Sequence, residues 1–277
     1  MVGDDRGVLE KFDYICGRKK ERIMLSNNKK KQIQQLGQKK QRDQQGLFIA
    51  EGAKITADLI RGGLTPVFIA GLADAISQHD FRARCGEVVE CDEREMRDVS
   101  LQKTPSKLIA IFKKPTFVRT EVRPRGLTIV LDEIQDPGNM GTIIRIADWF
   151  GIRRIICSDT CADAYSPKTV QASMGAIARV EVEETDLGVL LETNRREWQM
   201  PVYGTLLEGD NIYKTDVEQE GFIVMGNEGK GISERLKPYI THKLFIPSYP
   251  QGVVTSESLN VAAATAIVCS EFRRRTF

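Results

Sequence analysis

The chain has 277 residues, 41% of them hydrophobic and 28% charged, with a net charge of +2. That composition belongs to a folded globular protein and excludes disorder as the main state. The longest apolar runs, residues 127–131 and a stretch near 261–269, fall well short of the roughly 20 residues a membrane helix needs. The first 25 residues hold no apolar segment of signal-peptide type, so a cytoplasmic protein without a membrane anchor is expected. Six cysteines (16, 85, 91, 157, 161 and 269) include no CxxC pair and read as free thiols in a reducing compartment. Cys157 and Cys161 are four apart, but no companion His or Cys pair completes a zinc site, so no metal is expected. His79 and His242 are the two histidines, which leaves few places for a histidine base.

The charge is uneven. Residues 1–42 carry 12 Lys+Arg against 5 Asp+Glu, a balance of +7, so the remainder sums to −5. The basic residues cluster at 18–22, 29–31 and 39–42. Such clusters either bind nucleic-acid phosphates or form a solvated arm.

Residues 1–24 lack both helical and strand periodicity and read as a loosely ordered extension, with Met24 as an alternative start. Ile33 and Leu36 then stand at helical spacing. Residues 47–50 (LFIA) predict a strand and 53–61 a helix ended by Gly62 and Gly63. Residues 66–70 predict a strand, 74–79 a helix, 88–90 an extended segment, 92–99 a helix and 108–112 a strand. This alternation implies an α/β domain over 25–113. Residues 114–125, with two prolines and several basic residues, read as a linker.

A second α/β domain is expected over 126–277. Strands are predicted at 127–131, 153–157, 176–182, 202–205, 221–225 and 243–246. Helices are predicted at 143–150, 187–196 and 259–275, the last ending in basic residues that suit a helix C-terminus.

Three segments of this half carry candidate chemistry. In the first, residues 131–151 (LDEIQDPGNMGTIIRIADWFG), a buried strand runs through a loop into a helix, and Asn139 is a candidate N-cap. Arg145 falls among Ile143, Ile144, Ile146 and Ala147, where a guanidinium needs a polar partner or a cleft. It either pairs with Asp132, Asp148 or a surface carboxylate, or serves a function. In the second, residues 221–233 (GFIVMGNEGKGIS), a strand enters a loop with Gly226, Gly229, Gly231 and Glu228, and this is neither a dinucleotide loop nor a P-loop. In the third, residues 246–267, an irregular loop leads to a helix that Glu257 or Ser258 can cap, with Asn260 in its first turn. A helix start offers free N–H donors.

Together and in this order, the three segments resemble the motifs of the SpoU/TrmH group of S-adenosylmethionine-dependent RNA ribose 2′-O-methyltransferases, within the SPOUT superfamily. Asn139 and Arg145 resemble motif 1, Glu228 motif 2, and the run Ser258, Leu259, Asn260 and Val261 motif 3. Residues 39–52 and 104–115 are more loosely similar to the family's L30e-like substrate-binding domain. The resemblance implies a smaller L30e-like α/β domain before a catalytic α/β domain with a deep trefoil knot. It implies S-adenosylmethionine bent into a pocket built by Gly204, Thr205, Leu206, Gly226, Asn227, Gly229, Ile246 and Leu259, whose glycines let the backbone reach the ligand. It also implies a homodimer through the C-terminal helix.

The resemblance further implies that Arg145 activates the ribose hydroxyl. A guanidinium offers no acceptor, so Arg145 is read as stabilising a developing alkoxide and gripping a neighbouring phosphate. Asn139 would orient Arg145 or the ribose, and Glu228, Ser258 and Asn260 would fix loops and substrate. The loop before Ser258 is some four residues longer than the family pattern, with Ser248 and Tyr249 within it, and Ala262 stands where serine is frequent. Ribosomal RNA is the expected substrate, since an accessory domain suits a folded RNA element. A tRNA 2′-O-methyltransferase, a base methyltransferase and a catalytically silent RNA-binding protein are the alternatives.

Overall fold

The computed structural model describes residues 24–116, 123–250, 253, 256 and 258–276. Expectations for residues 1–23, for 117–122 of the linker and for Glu257 as a cap lie outside the described residues.

The first sheet is assembled from residues before 114. Ser26 caps helix α1 (Asn27–Gln35) by accepting from the Lys29 N–H, and α1 buries Ile33. Next come α2 (Lys39–Gln45), β1 (Leu47–Glu51), α3 (Ala53–Arg61), β2 (Pro66–Gly71), α4 (Ala73–Ser77), α5 (Phe81–Arg84), β3 (Val88–Glu90), α6 (Glu93–Val99) and β4 (Leu108–Lys113). The strand order is β1-β4-β2-β3. Strand β4 runs antiparallel to β1 and β2, and β2 runs parallel to β3. The basic clusters of this region are partly spent inside the fold. Lys29 pairs with Glu87, Lys30 with Asp98 and Lys39 with Glu184, while Arg42 is 2% exposed. Residues 29–42 are therefore structured helices and not a solvated arm.

The second sheet is wholly parallel. Its elements are β5 (Leu127–Leu131), α7 (Pro137–Trp149), β6 (Arg154–Cys157), α8 (Pro167–Ser173), β7 (Glu181–Glu184), α9 (Leu187–Thr193), β8 (Val202–Asn211), β9 (Gly221–Met225), β10 (His242–Phe245) and α10 (Val261–Arg274). The order is β10-β8-β9-β5-β6-β7. Every residue of β5 and β9 is buried, which is why both read as unbroken apolar runs. The chain leaves β5 toward β6 and β7, then crosses to β8 on the far side of β9. The winding direction thus reverses beside β5 and β9, the place where open parallel sheets form a crevice at their carboxyl ends.

Four expectations need correction. The strand expected at 176–182 is a 3₁₀ turn (Ala176–Ala178) followed by β7. Helix α8 was not anticipated, although Ser166 caps it and Pro167 occupies its first position, a pairing that pre-sets a helix start. Helix α7 is capped by Asp136, whose carboxylate accepts from the Asn139 N–H, so Asn139 lies in the first turn. Helix α10 starts at Val261 with Asn260 as its cap, two residues after Ser258. The longest described helix has 14 residues, and none is long and apolar enough to cross a membrane.

The two sheets share a packed border. Phe48 of β1 stacks near Tyr165 with centroids 5.2 Å apart, and Lys114 lies 5.0 Å over the same tyrosine ring. Within the second unit, α7 crosses α8 at Gly141. A Cβ there would lie 2.5 Å from the Thr169 carbonyl oxygen and 2.6 Å from Ala172 Cβ. Gly141→Ala is therefore expected to cost about 2 kcal/mol through forced separation of the helices, measurable by urea denaturation. At the far end of α10, Glu271 is 4% exposed and accepts from Arg274 and Arg275. The hydrogen bonds from Arg274, with those from Arg275, hold its carboxyl down at about 2, below an unfolded value of about 4.3. That stabilisation is present above the unfolded value and is lost as the pH falls from about 4.3 through about 2. Between pH 5 and pH 2.5 the wild type should lose about 1 kcal/mol more than Glu271→Gln, after allowance for solvent screening of the arginines.

Candidate active site

Three loops meet at the carboxyl ends of β5 and β9. The first turn of α7 contributes Asn139, the loop after β9 contributes Glu228, and the start of α10 contributes Asn260. Asn139 Nδ2 donates to Glu228 Oε1 at 2.6 Å, and Asn260 Nδ2 donates to Asn139 Oδ1 at 3.0 Å. Asn260 Oδ1 meanwhile accepts from the Ala262 and Ala263 N–H groups. One amide therefore closes the helix end and points its donor at Asn139. A free choice of amide orientation disappears, because each end of Asn139 has a partner of fixed character.

The backbone beneath this junction is pinned at every polar group of residues 133 and 134. Glu133 takes a left-handed conformation, φ 57°, a costly one for a residue with a side chain. Its N–H donates to Ser158 Oγ and its carbonyl accepts from Asn227 Nδ2. The Ile134 N–H donates to Cys161 Sγ at 3.2 Å and its carbonyl accepts from the Ala162 N–H at 2.8 Å. Hydrogen bonding with Cys157, then with Ser158 and the Ile134 N–H, brings the Cys161 thiol down to about 7, while Cys157 is pushed up. The two cysteines thus belong to the support of this loop. The buried Asp132 carboxylate accepts from the Ser233 N–H at 2.8 Å, which ties β5 to the loop after β9 once more. Lys168, with the Asn139 N–H, holds the Asp136 carboxyl below the usual carboxylate range.

Arg145 stands apart from the junction. It is exposed on α7, and among the described residues it has no hydrogen bond or ion pair. The two carboxylates open to it are engaged elsewhere, Asp148 with Arg179 and Asp132 with Ser233. Neither of these carboxylates, nor any surface carboxylate among the described residues, pairs with Arg145. Asn139 contacts Glu228 and Asn260, so it does not orient Arg145. Ser258 is exposed and makes no hydrogen bond to these groups among the described residues. Three of the five expected catalytic residues thus converge directly, and two face outward.

Of the residues expected to hold a cofactor, Gly204–Leu206 lie within β8, Gly226, Asn227 and Gly229 follow β9, Ile246 follows β10 and Leu259 precedes α10. The ladder between β8 and β10 jumps from Gly204 opposite Lys243 to Asp210 opposite Leu244. Residues 205–209 therefore swing out of the sheet, leaving Thr205 and Leu206 half-buried. Asn227 Oδ1 accepts from the Gly229 and Lys230 N–H groups, and the Asn227 and Gly231 backbones pair with each other. Ile246 is half-buried at the end of β10, and Leu259 is 50% exposed. Two of these glycines are also required by the fold itself. A Cβ on Gly226 would lie 2.2 Å from the Gly231 carbonyl carbon, and one on Gly204 would lie 2.4 Å from Ile240 Cδ1. Both glycines admit the chain's own neighbours, and the loop after β9 can fold back only because position 226 has no side chain. The sequence reading missed Asp132, Glu133, Ser158 and Ser233. Their signal was weak, since none is distinctive outside its place at a strand end.

The Asn260 amide does two separable jobs, and substitution can divide them. Asn260→Ala is expected to lose about 1 kcal/mol with the cap. Asn260→Asp keeps the acceptor and suits the helix dipole, so it should lose less than half as much. Equilibrium urea unfolding of the two variants would check this ordering.

Comparison with known proteins agrees with this geometry. The SpoU rRNA methylase family model matches residues 126–270, and the MRM3-like substrate-binding domain matches residues 27–110. The 23S rRNA (guanosine(2553)-2′-O)-methyltransferase RlmP of Bacillus subtilis is 28% identical over 250 residues, covering 89% of this chain and 96% of its own. A structure described as an RNA methyltransferase of the TrmH family from Porphyromonas gingivalis superposes with a TM-score of 0.79 at 40% identity, covering 91% of this chain and 99% of that one. An AdoMet-bound rRNA methyltransferase from Sinorhizobium meliloti superposes with a TM-score of 0.79 at 28% identity, covering 92% and 98%. With its three motifs in order, its α/β architecture and a family match over more than half its length, the chain belongs to the SpoU rRNA methylase family.

Proposed function

We propose that this protein transfers the methyl group of S-adenosylmethionine to a ribose 2′-hydroxyl of ribosomal RNA. The observation that carries the reading is the junction of Asn139, Glu228 and Asn260 at the carboxyl ends of the parallel sheet, with Arg145, unpaired among the described residues, on the same helix as Asn139. The printed activity of the Bacillus subtilis relative and the AdoMet held by the Sinorhizobium meliloti structure support it.

The residues present fit such a cofactor. The outward swing of residues 205–209 frees a strand end beside Gly226 and Ile246, which suits a nucleoside held by main-chain groups. Gly204–Leu206, Gly226–Gly229, Ile246 and Leu259 would hold it. The cofactor supplies a methyl group already activated as a sulfonium. The protein's own task is then to position a hydroxyl and to favour loss of its proton. Arg145, exposed and with its donors uncommitted among the described residues, would face the alkoxide that develops and an adjacent phosphate. Asn139 would orient the ribose, held by Glu228 on one side and Asn260 on the other.

The finer architecture belongs to the same reading. A trefoil knot in the second domain is supported by the return of Asn260 to Asn139 after β10 has formed the far edge of the sheet. The first domain, with its mixed sheet of four strands, suits an L30e-like unit that engages RNA. A homodimer through α10 is supported by Trp149, 82% exposed on α7, the helix against which α10 packs. A cytoplasmic location belongs to the same reading, supported by the Bacillus subtilis relative.

The test uses labelled S-adenosylmethionine with separate unmodified rRNA and tRNA transcripts, followed by nucleoside analysis. A 2′-O-methylnucleoside in the rRNA is expected, and one confined to tRNA would refute the substrate assignment. Arg145→Ala should lower turnover roughly 100-fold while S-adenosylmethionine binding by calorimetry stays within about threefold. Turnover above a tenth of the wild-type value would exclude the role given to Arg145.

A further inference from the structure

The strongest unexplained feature outside the junction is a charged pair buried between the two domains. Arg42 of α2 is 2% exposed. Its Nε and Nη2 both donate to Asp163 Oδ2, at 3.0 and 2.5 Å, and its Nη1 donates to the Leu36 carbonyl at 2.8 Å. Burying such a pair is no efficient route to stability, since desolvation offsets much of the attraction. A fixed position is the property it does provide. The fork of a guanidinium defines both distance and orientation, which an apolar contact does not.

Asp163 hands that position onward. Its Oδ1 accepts from the Tyr165 N–H and its carbonyl accepts from Thr169 Oγ1 in α8, so the segment 158–166 is clamped at its far end. The near part of the same segment holds the β5–α7 loop. Ser158 Oγ takes the Glu133 N–H, Cys161 Sγ takes the Ile134 N–H, and the Ala162 N–H meets the Ile134 carbonyl. Two residues further on, Asp136 starts the helix that carries Asn139 and Arg145. A short path of hydrogen bonds therefore runs from the first domain to the loop that places the reacting groups. The strand ends of β8 and β10, which carry Gly204–Leu206 and Ile246, lie outside it.

We propose that Arg42 and Asp163 are positioning residues for methyl transfer: they set the β5–α7 loop, and with it Asn139 and Arg145, in register with the domain that presents the RNA. This rests on the functional reading above. The pair touches neither cofactor nor ribose. Its loss should therefore reach the rate of transfer and leave cofactor binding intact.

The test compares the wild type with Arg42→Met, Asp163→Asn and the double variant, in the full chain. Each is assayed for kcat at saturating S-adenosylmethionine and unmodified rRNA transcript, for cofactor affinity by calorimetry and for thermal midpoint. Each single variant should lower kcat at least about tenfold with the cofactor Kd within about twofold. Arg42→Met also leaves a buried carboxylate without its cation and should melt earlier. The double variant removes both charges, so its midpoint should return close to the wild-type value while kcat stays low. A pair that serves stability alone would show kcat recovering together with the midpoint in the double variant, and that result overturns the proposal. Single variants with wild-type kcat overturn it as well. A wild-type protein that transfers no methyl group to the transcript would instead overturn the functional reading beneath it.

Discussion

The Asn139 side chain is the point on which the site depends. It links a loop after the first strand of the catalytic sheet to a loop 89 residues later and to a helix start 121 residues later. Two of these positions are helix starts and the third lies in a loop closed on itself by the Asn227–Gly231 backbone pair, so no ladder joins the three to one another. An amide has a donor end and an acceptor end, so it can join a carboxylate to a second amide only in one orientation. That polarity gives three loops a single common arrangement. Two further ties, Asp132 to the Ser233 N–H and Asn227 to the Glu133 carbonyl, keep the same loops together from below.

The surrounding fold can be understood as support for that junction. The buried strands β5 and β9 run side by side in register, from Leu127 opposite Gly221 to Leu131 opposite Met225, and they deliver both loops at the same height. The left-handed backbone of Glu133 stores strain and is kept by four hydrogen bonds to residues 133 and 134. Gly141 lets α8 approach α7, and α8 is where the segment from Ser158 ends. A helix that carries reacting groups is thus braced along its side and at its start.

Much of this was legible in the sequence, for physical reasons that can be named. Fully buried strands betray themselves as apolar runs, so β5 and β9 were placed to the residue. The motif residues Asn139, Glu228 and Asn260 were legible because three segments, each ambiguous alone, resemble the motifs of one family when taken in order. What escaped were effects that depend on partners distant in the chain. Asp136 caps α7 because Pro137 pre-sets the first turn, and the nearby Asn139 looks equally suited when read alone. At 204 and 226 the packing need was also hidden, because only the fold brings Ile240 and Gly231 against those two positions. Arg42 read as one more cation of a basic cluster, since nothing local reveals a carboxylate 121 residues away. Residues 176–178 read as strand on composition, where Gly175 with φ 85° turns the chain too sharply for one.

The departure of residues 205–209 from the β8 ladder has a consequence for how such a protein can diversify. The ladder resumes at Asp210 opposite Leu244 with the sheet otherwise undisturbed. Residues 206–208 can therefore be exchanged at little expense to folding, as for any surface connection between fixed ends, whereas Thr205 donates to the Val224 carbonyl and a Cβ on Gly209 would lie 2.7 Å from the Leu244 carbonyl carbon. The same excursion carries Thr205 and Leu206, which the proposed function gives to the cofactor. One side of the site is free to drift in shape over evolutionary time, while the opposite side, with Asn139 bound at both ends, is held to a single chemistry.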